Sequence, residues 1–369
     1  MITPLRLNYK RVDDMPSAPV FLFILVSSKE GIGEYMRSMI IANGVKKHWP
    51  DAVIHFALSK HAPYAQSCPF NTFILENSAT KQVKAVNDIV SELKPDVVIF
   101  DASGRKAQLK HAHESGAKVI FISQHQKKRS RGLKVGRSLV TDSHWVVQPE
   151  FAIAPLSVFE RFKLWLINRP QPLVTGPIFT NPDESQRGAL LAEYDLADKA
   201  FVLFSAGSGG HKCNQGYAAD LFLDVALHVR DHHKLKPVIV FGDNYPKELP
   251  EIEGVVCIRS LANADFINLV SSAKAAVLSG GGTLLQAVAM HVPTLGIAVS
   301  KDQPPRVKAC LDRDVILSSN LDFSEMCGGV DQLLAPAELA RLINKTKEID
   351  SVNGLKVSIA DISRLLEEK

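Results

Sequence analysis

The chemistry legible in this chain is concentrated between Ser279 and Gln303, SGGGTLLQAVAMHVPTLGIAVSKDQ. Three glycines, Gly280, Gly281 and Gly282, precede Thr283, where the pattern predicts a helix start. Glycines there let a backbone approach an anion closely, and the free N–H groups and dipole of the helix end then hold it. Thr283 suits the N-cap, its hydroxyl available to an orphan N–H or a phosphate oxygen. One short strand later, Asp302 and Gln303 offer hydrogen-bonding groups of the kind that read sugar hydroxyls. A phosphate beside a sugar describes a nucleotide-sugar. The plainer alternative is a turn whose glycines serve only helix–strand packing.

A second turn, SAGSGGHKCN, sets Ser205, Gly207, Ser208, Gly209 and Gly210 where their N–H groups and hydroxyls could meet a diphosphate from the other side. His211 either neutralises phosphate charge there or stabilises the turn. No Walker lysine follows either turn, which argues against an ATPase.

A third loop, residues 27–38, contains Gly31 and Gly33, then Glu34 and Arg37 three apart on a helix start. Glu34 can act as a general base, its pKa raised by a desolvated cleft and lowered by the helix end. It can equally cap the helix and pair with Arg37. Asp101 follows the strand VVIF, either as an alternative base or as a residue closing a turn. His125, in SQHQ, either touches an acceptor or diphosphate or is an exposed loop histidine.

Six Lys/Arg fall in the eleven positions from Lys127 to Arg137, among them Lys128, Arg129 and Arg131. The apolar-aromatic stretch FAIAPLSVFERFKLWLINRP follows. Such a pairing suits an anionic membrane surface, at roughly 1 kcal/mol per near-surface cation, or a phosphorylated acceptor. It also describes a solvated loop and an ordinary helix. Aromatics are not interleaved with the basic run, so nucleic acid is not expected.

These loops need elements to position them. The chain has 369 residues, 46% hydrophobic and 22% charged, a length for two domains of ordinary globular chemistry. A formal charge of +4 does not by itself call for nucleic acid. Five cysteines show no CxxC or Cys/His ligand spacing, so free thiols in a reducing compartment are expected and no metal centre is readable. The N-terminus is polar and broken by prolines, unlike a signal peptide, and the longest apolar run, Val20 to Val26, is far short of the ~20 residues of a spanning helix. A cytoplasmic protein is expected.

Short apolar runs alternate with helical stretches, the pattern of α/β parallel sheets with crossover helices. Strands are expected at 20–26, 52–57, 72–75, 97–100, 118–122 and 145–147, then at 201–204, 237–241, 255–258, 275–278 and 294–297. Each half opens with strand, Gly-rich loop and helix, as two Rossmann-like domains facing a cleft would. The expected division is an N-terminal tail (1–17), a first domain (18–172), a second (173–335) and a C-terminal helical segment (336–369).

The stretch 279–303 resembles the donor-binding signature of glycosyltransferases with the GT-B fold. It is similar to the UDP-glycosyltransferases and to the GlcNAc transferase that forms lipid II. Gly280–Thr283 match the turn, Val292–Pro293 the "VP", and Asp302–Gln303 the closing pair. LVTGPIF, residues 173–179, is similar to the segment that closes the first domain there, which places the linker near 169–182. The loop at 27–38 resembles the GxGHxxR loop, with Glu34 where the family has its basic His. Gln286 stands where the family usually has a Glu for the ribose, and His291 replaces a Gly.

The resemblance implies an inverting, metal-independent transferase that moves a sugar from a UDP-sugar to a saccharide or lipid-linked acceptor hydroxyl. It implies no further cofactor. The donor would be held by the second domain through the residues above, with the base near Leu261, and the C-terminal helix would cross back to the first domain. A nucleotide-sugar hydrolase of the pseudaminic acid type and a non-catalytic nucleotide-sugar binder are the alternatives.

Overall fold

The computed structural model describes residues 18–26, 33–213, 216–349 and 353–368. The first lobe is a sheet of strands β1 (Val20–Leu25), β2 (Val53–Ser59), β3 (Asn71–Leu75), β4 (Val97–Asp101), β5 (Lys118–Ser123), β6 (Ser143–Val146) and β7 (Leu173–Val174). Its order is β3-β2-β1-β4-β5-β6-β7, parallel throughout. Its helices are α1 (Gly33–His48), α2 (Val83–Leu93), α3 (Lys106–Glu114), α4 (Gln126–Gly132), α5 (Val135–Ser138) and α6 (Val158–Leu166).

Strand β1 reads VFLFIL without alternation because both faces are covered. Phe21, Phe23 and Leu25 enter one core layer and Leu22 and Ile24 the opposite one. Trp145 is fully enclosed, and its indole N–H donates to Asp361 at 2.7 Å.

The second lobe contains α7 (Glu184–Glu193), β8 (Phe201–Ser205), the small hairpin β9 (Lys212–Cys213) and β10 (Gly216–Tyr217), α8 (Ala218–His232), β11 (Lys236–Val240) and β12 (Val256–Ile258). It continues with α9 (Asn263–Ser272), β13 (Ala275–Ser279), α10 (Gly282–Ala289), β14 (Thr294–Ile297), α11 (Pro304–Leu311), β15 (Leu317–Ser319), α12 (Phe323–Leu334) and α13 (Pro336–Lys347). The main sheet runs β12-β11-β8-β13-β14-β15, again all parallel.

Both sheets therefore step outward from their first strand and reverse, at β1/β4 in one lobe and β8/β13 in the other. In open α/β sheets the crevice at such a reversal, beyond the strand carboxyl ends, is where ligands sit.

The C-terminal segment divides between the lobes. Leu339 and Leu342 of α13 pack in the second core. Helix α14 (Gly354–Glu367) returns to the first lobe, with Ile362 and Leu365 in the core beneath α1. At its start, a Cβ on Gly354 would lie 2.7 Å from the carbonyl oxygen of Gly176, so only glycine fits. The preceding Asn353 donates to the Phe179 carbonyl at 2.6 Å. The chain is thus pinned to itself where it crosses between lobes. Strand β7 sits inside the expected linker and pairs with β6.

Candidate functional site

At the switch point of the first sheet, Glu34 stands in the first turn of α1, and Arg37 one turn on points under it. Arg37 donates to Asp101 through Nε (2.9 Å) and Nη2 (2.5 Å), and through Nη1 to Gln124 Oε1 at 3.0 Å. Gln124 in turn donates to Glu34 Oε1 at 3.0 Å, and Ser38 donates to Asp101 at 3.2 Å. Burial alone would lower Arg37, but Asp101 beside it holds the guanidinium above its ordinary value. Burial pushes Asp101 up, against the pull of Arg37.

This corrects the expectation for Asp101. It is fully enclosed and both its oxygens are engaged, so it holds Arg37 and is not open to a substrate proton. Arg37, expected at the donor, is committed to this network. Glu34 is only partly buried, and its second oxygen has no partner among the described residues. A Cβ on Gly33 would meet nothing within 4 Å among the described residues, and Gly31 lies outside them.

In the second lobe, the N-cap of α10 lies two residues before the expected Thr283. Gly281 is the N-cap and no side chain caps the helix, so Thr283 is the second helical residue. The three glycines differ in kind. A Cβ on Gly280 would meet Val307 at 2.6 Å, whereas among the described residues one on Gly282 meets nothing within 4 Å and one on Gly281 only Ser279 Oγ at 3.7 Å. Gly280 serves packing; Gly281 and Gly282 face open space at an uncapped helix N-terminus, a geometry suited to an anion.

The loop after β8 is shaped by its neighbours. Gly209, at φ +85°, would place a Cβ 2.4 Å from the Phe241 carbonyl. Gly210 abuts Asn244, Ser205 is buried, and the carbonyl of Ser208 accepts from Asn244 N at 2.9 Å. Gly207 lies over Ser279, so this loop rests on the end of β13.

Two further expectations change. Gln286 donates its amide to the Ile178 carbonyl of the interlobe crossing at 3.2 Å, so that hydrogen is not available to a ribose. Gln303 is buried and folds back, its Oε1 accepting from Val299 N at 2.8 Å. Asp302 remains exposed and accepts from Ser300 at 2.7 Å; that bond, Arg306 and His211 hold its carboxyl below the usual range despite desolvation. Leu261 packs at the edge of the second core.

The lobes meet around His125. Its Nδ1 caps α4 by accepting from Lys128 N at 3.4 Å. Burial lowers its pKa, helped by Lys128 and Arg306 and opposed by Asp302 and Glu34. Charges from both lobes thus converge on one imidazole. Nearby, Phe151 of the first lobe packs on the core formed by Leu284, Leu285 and Val307.

Arg306 is the residue sequence reasoning missed. It donates to the Gly280 carbonyl, its Nε is buried without a partner among the described residues, and burial lowers its pKa while Asp302 opposes. A cation in the first turn of α11 opposes the helix dipole. That conflict, directly after Asp302–Gln303, was the available signal. Gln124, which joins Glu34 to Arg37, was also missed although it adjoins His125.

The basic run is helical, not a loop, and it divides. Arg129 is buried and bonds the Ala154 (2.5 Å) and Pro155 (3.3 Å) carbonyls; Lys128 bonds the Ala102 carbonyl at 2.6 Å. Lys127 and Arg131 are exposed. Beyond them α6 presents Val158, Phe159, Phe162, Trp165 and Leu166 to solvent, each 55–74% exposed, and buries only Leu164. No described helix is long and apolar enough to cross a membrane.

No protein-family model and no curated protein sequence matches the chain. Solved structures do. The glycosyltransferase VinC, in complex with DTDP, superposes with a TM-score of 0.66 at 14% identity, covering 95% of this chain and 100% of that one. The glycosyltransferase SnogD from Streptomyces nogalater gives 0.65 at 15% identity, covering 94% and 100%. A protein from Listeria monocytogenes assigned as a UDP-N-acetylglucosamine 2-epimerase gives 0.60 at 14% identity, covering 96% and 98%. Identities this low speak for architecture alone: the chain has the GT-B fold, two Rossmann-like domains facing a cleft, with the last helix returning to the first.

Proposed function

We propose that this chain is an inverting glycosyltransferase that moves a sugar from a nucleoside-diphosphate sugar, with UDP as the leaving group, to an acceptor hydroxyl. The observation that carries the reading is the N-terminus of α10, which no described side chain caps and which faces, across the cleft, the side on which Glu34 and His125 stand. The second lobe would hold the donor, its diphosphate against the N–H groups of Gly282 and Thr283 with Arg306 as the cation. The first lobe would hold the acceptor.

In the step itself, Glu34 takes the acceptor's hydroxyl proton as that oxygen bonds to the anomeric carbon. The bond from the anomeric carbon to the β-phosphate oxygen breaks, and its electron pair leaves on the diphosphate. Attack from the face opposite the leaving group inverts the configuration. Helix N–H groups and Arg306 supply the positive charge the leaving group needs, the role of a preorganised oxyanion site, so no divalent ion is required for it.

DTDP in VinC and the epimerase assignment of the Listeria protein fit a nucleoside-diphosphate pocket on this fold. Two observations favour transfer over hydrolysis and over mere binding. The second oxygen of Glu34 has no partner among the described residues, and the exposed apolar face of α6 suits an acceptor carried on a membrane surface, which a hydrolase would not use. A pocket lined by Arg129, Glu150, Ile153, Leu156 and Arg161 adjoins that helix.

The test is release of UDP from a panel of UDP-sugars by the purified chain, with and without a lipid extract as acceptor. Acceptor-dependent release is expected. Release of UDP and free sugar without acceptor would make the protein a hydrolase, and binding without any release would make it a sensor or partner subunit.

A further inference from the structure

Three side chains meet on the second lobe at the end away from the cleft. His228 lies in the last turns of α8, His233 just past its end, and Asp331 on α12. Nε2 of His228 is 2.9 Å, and Nε2 of His233 2.7 Å, from the same oxygen, Asp331 Oδ1. One ligand-capable atom from each residue lies within 4.8 Å of the other two. The side chains are 17%, 23% and 49% exposed, so the group can be reached from solvent. His232 stacks on His228 with ring centroids 4.3 Å apart, which fixes the orientation of that imidazole.

We propose that His228, His233 and Asp331 form a binding site for a divalent transition-metal ion of the Zn²⁺ or Ni²⁺ type. Two imidazoles and a carboxylate are the donor set such borderline cations prefer. An ion bound at about 2.0–2.2 Å from each ligand holds the ligand atoms roughly 3–3.5 Å apart. The two imidazole–Asp331 separations need to widen by only a few tenths of an ångström. The cation would take the place of the two ring protons that now bridge to Asp331 Oδ1. The two helices already pack together through Phe222, Val225, Met326 and Val330, so the site is assembled before the ion arrives.

Position separates this site from sugar chemistry. Helix α8 runs back from the cleft against the strand direction, so its C-terminal end lies at the opposite end of the strands from the loops that carry Gly282 and Asp302. An ion there would clamp α8 to α12 and stabilise the second lobe. The proposal stands whether or not the chain transfers sugar.

The experiment is a calorimetric titration of the tag-free full chain with ZnCl₂, paired with thermal unfolding with and without the ion. One ion per chain and a raised Tm are expected. D331N, which keeps the shape of the side chain, and H228A/H233A should each weaken binding by more than about tenfold and abolish the Tm rise. Absence of saturable binding by the parent would overturn the proposal. So would binding undiminished in both variants, since the ion would then be held elsewhere.

Discussion

Arg37 and Asp101 are joined by two parallel hydrogen bonds, Nε to Oδ2 at 2.9 Å and Nη2 to Oδ1 at 2.5 Å, beneath the switch point of the first sheet. Asp101 has no exposed surface and Arg37 little, so this is a buried pair whose halves depend on each other. Removing one charge strands the other. D101N should therefore destabilise the chain by about 3–5 kcal/mol, a loss typical of breaking a buried ion pair. Denaturant unfolding measures it, and a loss below 1 kcal/mol would mean that Arg37 finds another partner.

Glu34 is the end of that network that reaches the cleft. E34Q keeps the atoms that bond Gln124 but cannot accept a proton. General-base catalysis is worth on the order of 100- to 10,000-fold, so kcat should fall within that range while nucleotide affinity holds. An equal loss of UDP affinity would assign Glu34 to binding or capping instead.

Helix α6 carries its apolar stripe outward. At about 100° per residue, Val158, Phe159, Phe162, Trp165 and Leu166 share one face, and Arg161 and Lys163 flank it on either side. Residues 126–170 hold nine Lys/Arg against three Asp/Glu, a net +6, whereas the whole chain carries +4. Phe159 and Trp165 are 73% and 72% exposed, so F159S/W165S should cost at most about 0.5 kcal/mol in stability. The same variant should lose sedimentation with vesicles rich in phosphatidylserine. Parent protein that ignores such vesicles would dismiss the membrane contact.

His144 packs against Phe121, its Nε2 3.0 Å from Ser123 Oγ, and burial pushes its pKa down to about 3. A folded-state pKa below the unfolded value of roughly 6.5 favours the fold only while the ring is neutral. That contribution is complete above about pH 6.5 and drains away as pH falls toward 3. H144Q should flatten the dependence of Tm on pH across this window. An unchanged slope would assign the acid sensitivity to other groups.

The sheets were legible because buried parallel strands are unbroken apolar runs: VFLFIL, VVIF and FVLF announce themselves. The edge strands β7 and β15 were not, since two or three half-buried residues make no pattern. The glycine turn was legible as a turn, yet its division of labour depends on what stands opposite each Cα. Val307, which crowds Gly280, arrives from the helix two elements later. Gln286 illustrates the same limit: its partner, the Ile178 carbonyl, is 108 residues away. Asp101 sits at a strand's carboxyl end as expected, but whether it faces the cleft or Arg37 is decided by packing across the sheet. The division of the basic run was not legible because burial, which separates Arg129 from Arg131, leaves no mark on a string of like charges.

The central claim is that a nucleoside diphosphate binds between the two switch points, and a crystal structure of the chain with UDP tests it most directly. The diphosphate should lie within hydrogen-bonding distance of the Gly282 and Thr283 N–H groups, with Arg306 beside it and Glu34 across the gap. UDP bound outside the cleft, or an α10 N-terminus left vacant at saturating nucleotide, would contradict the account.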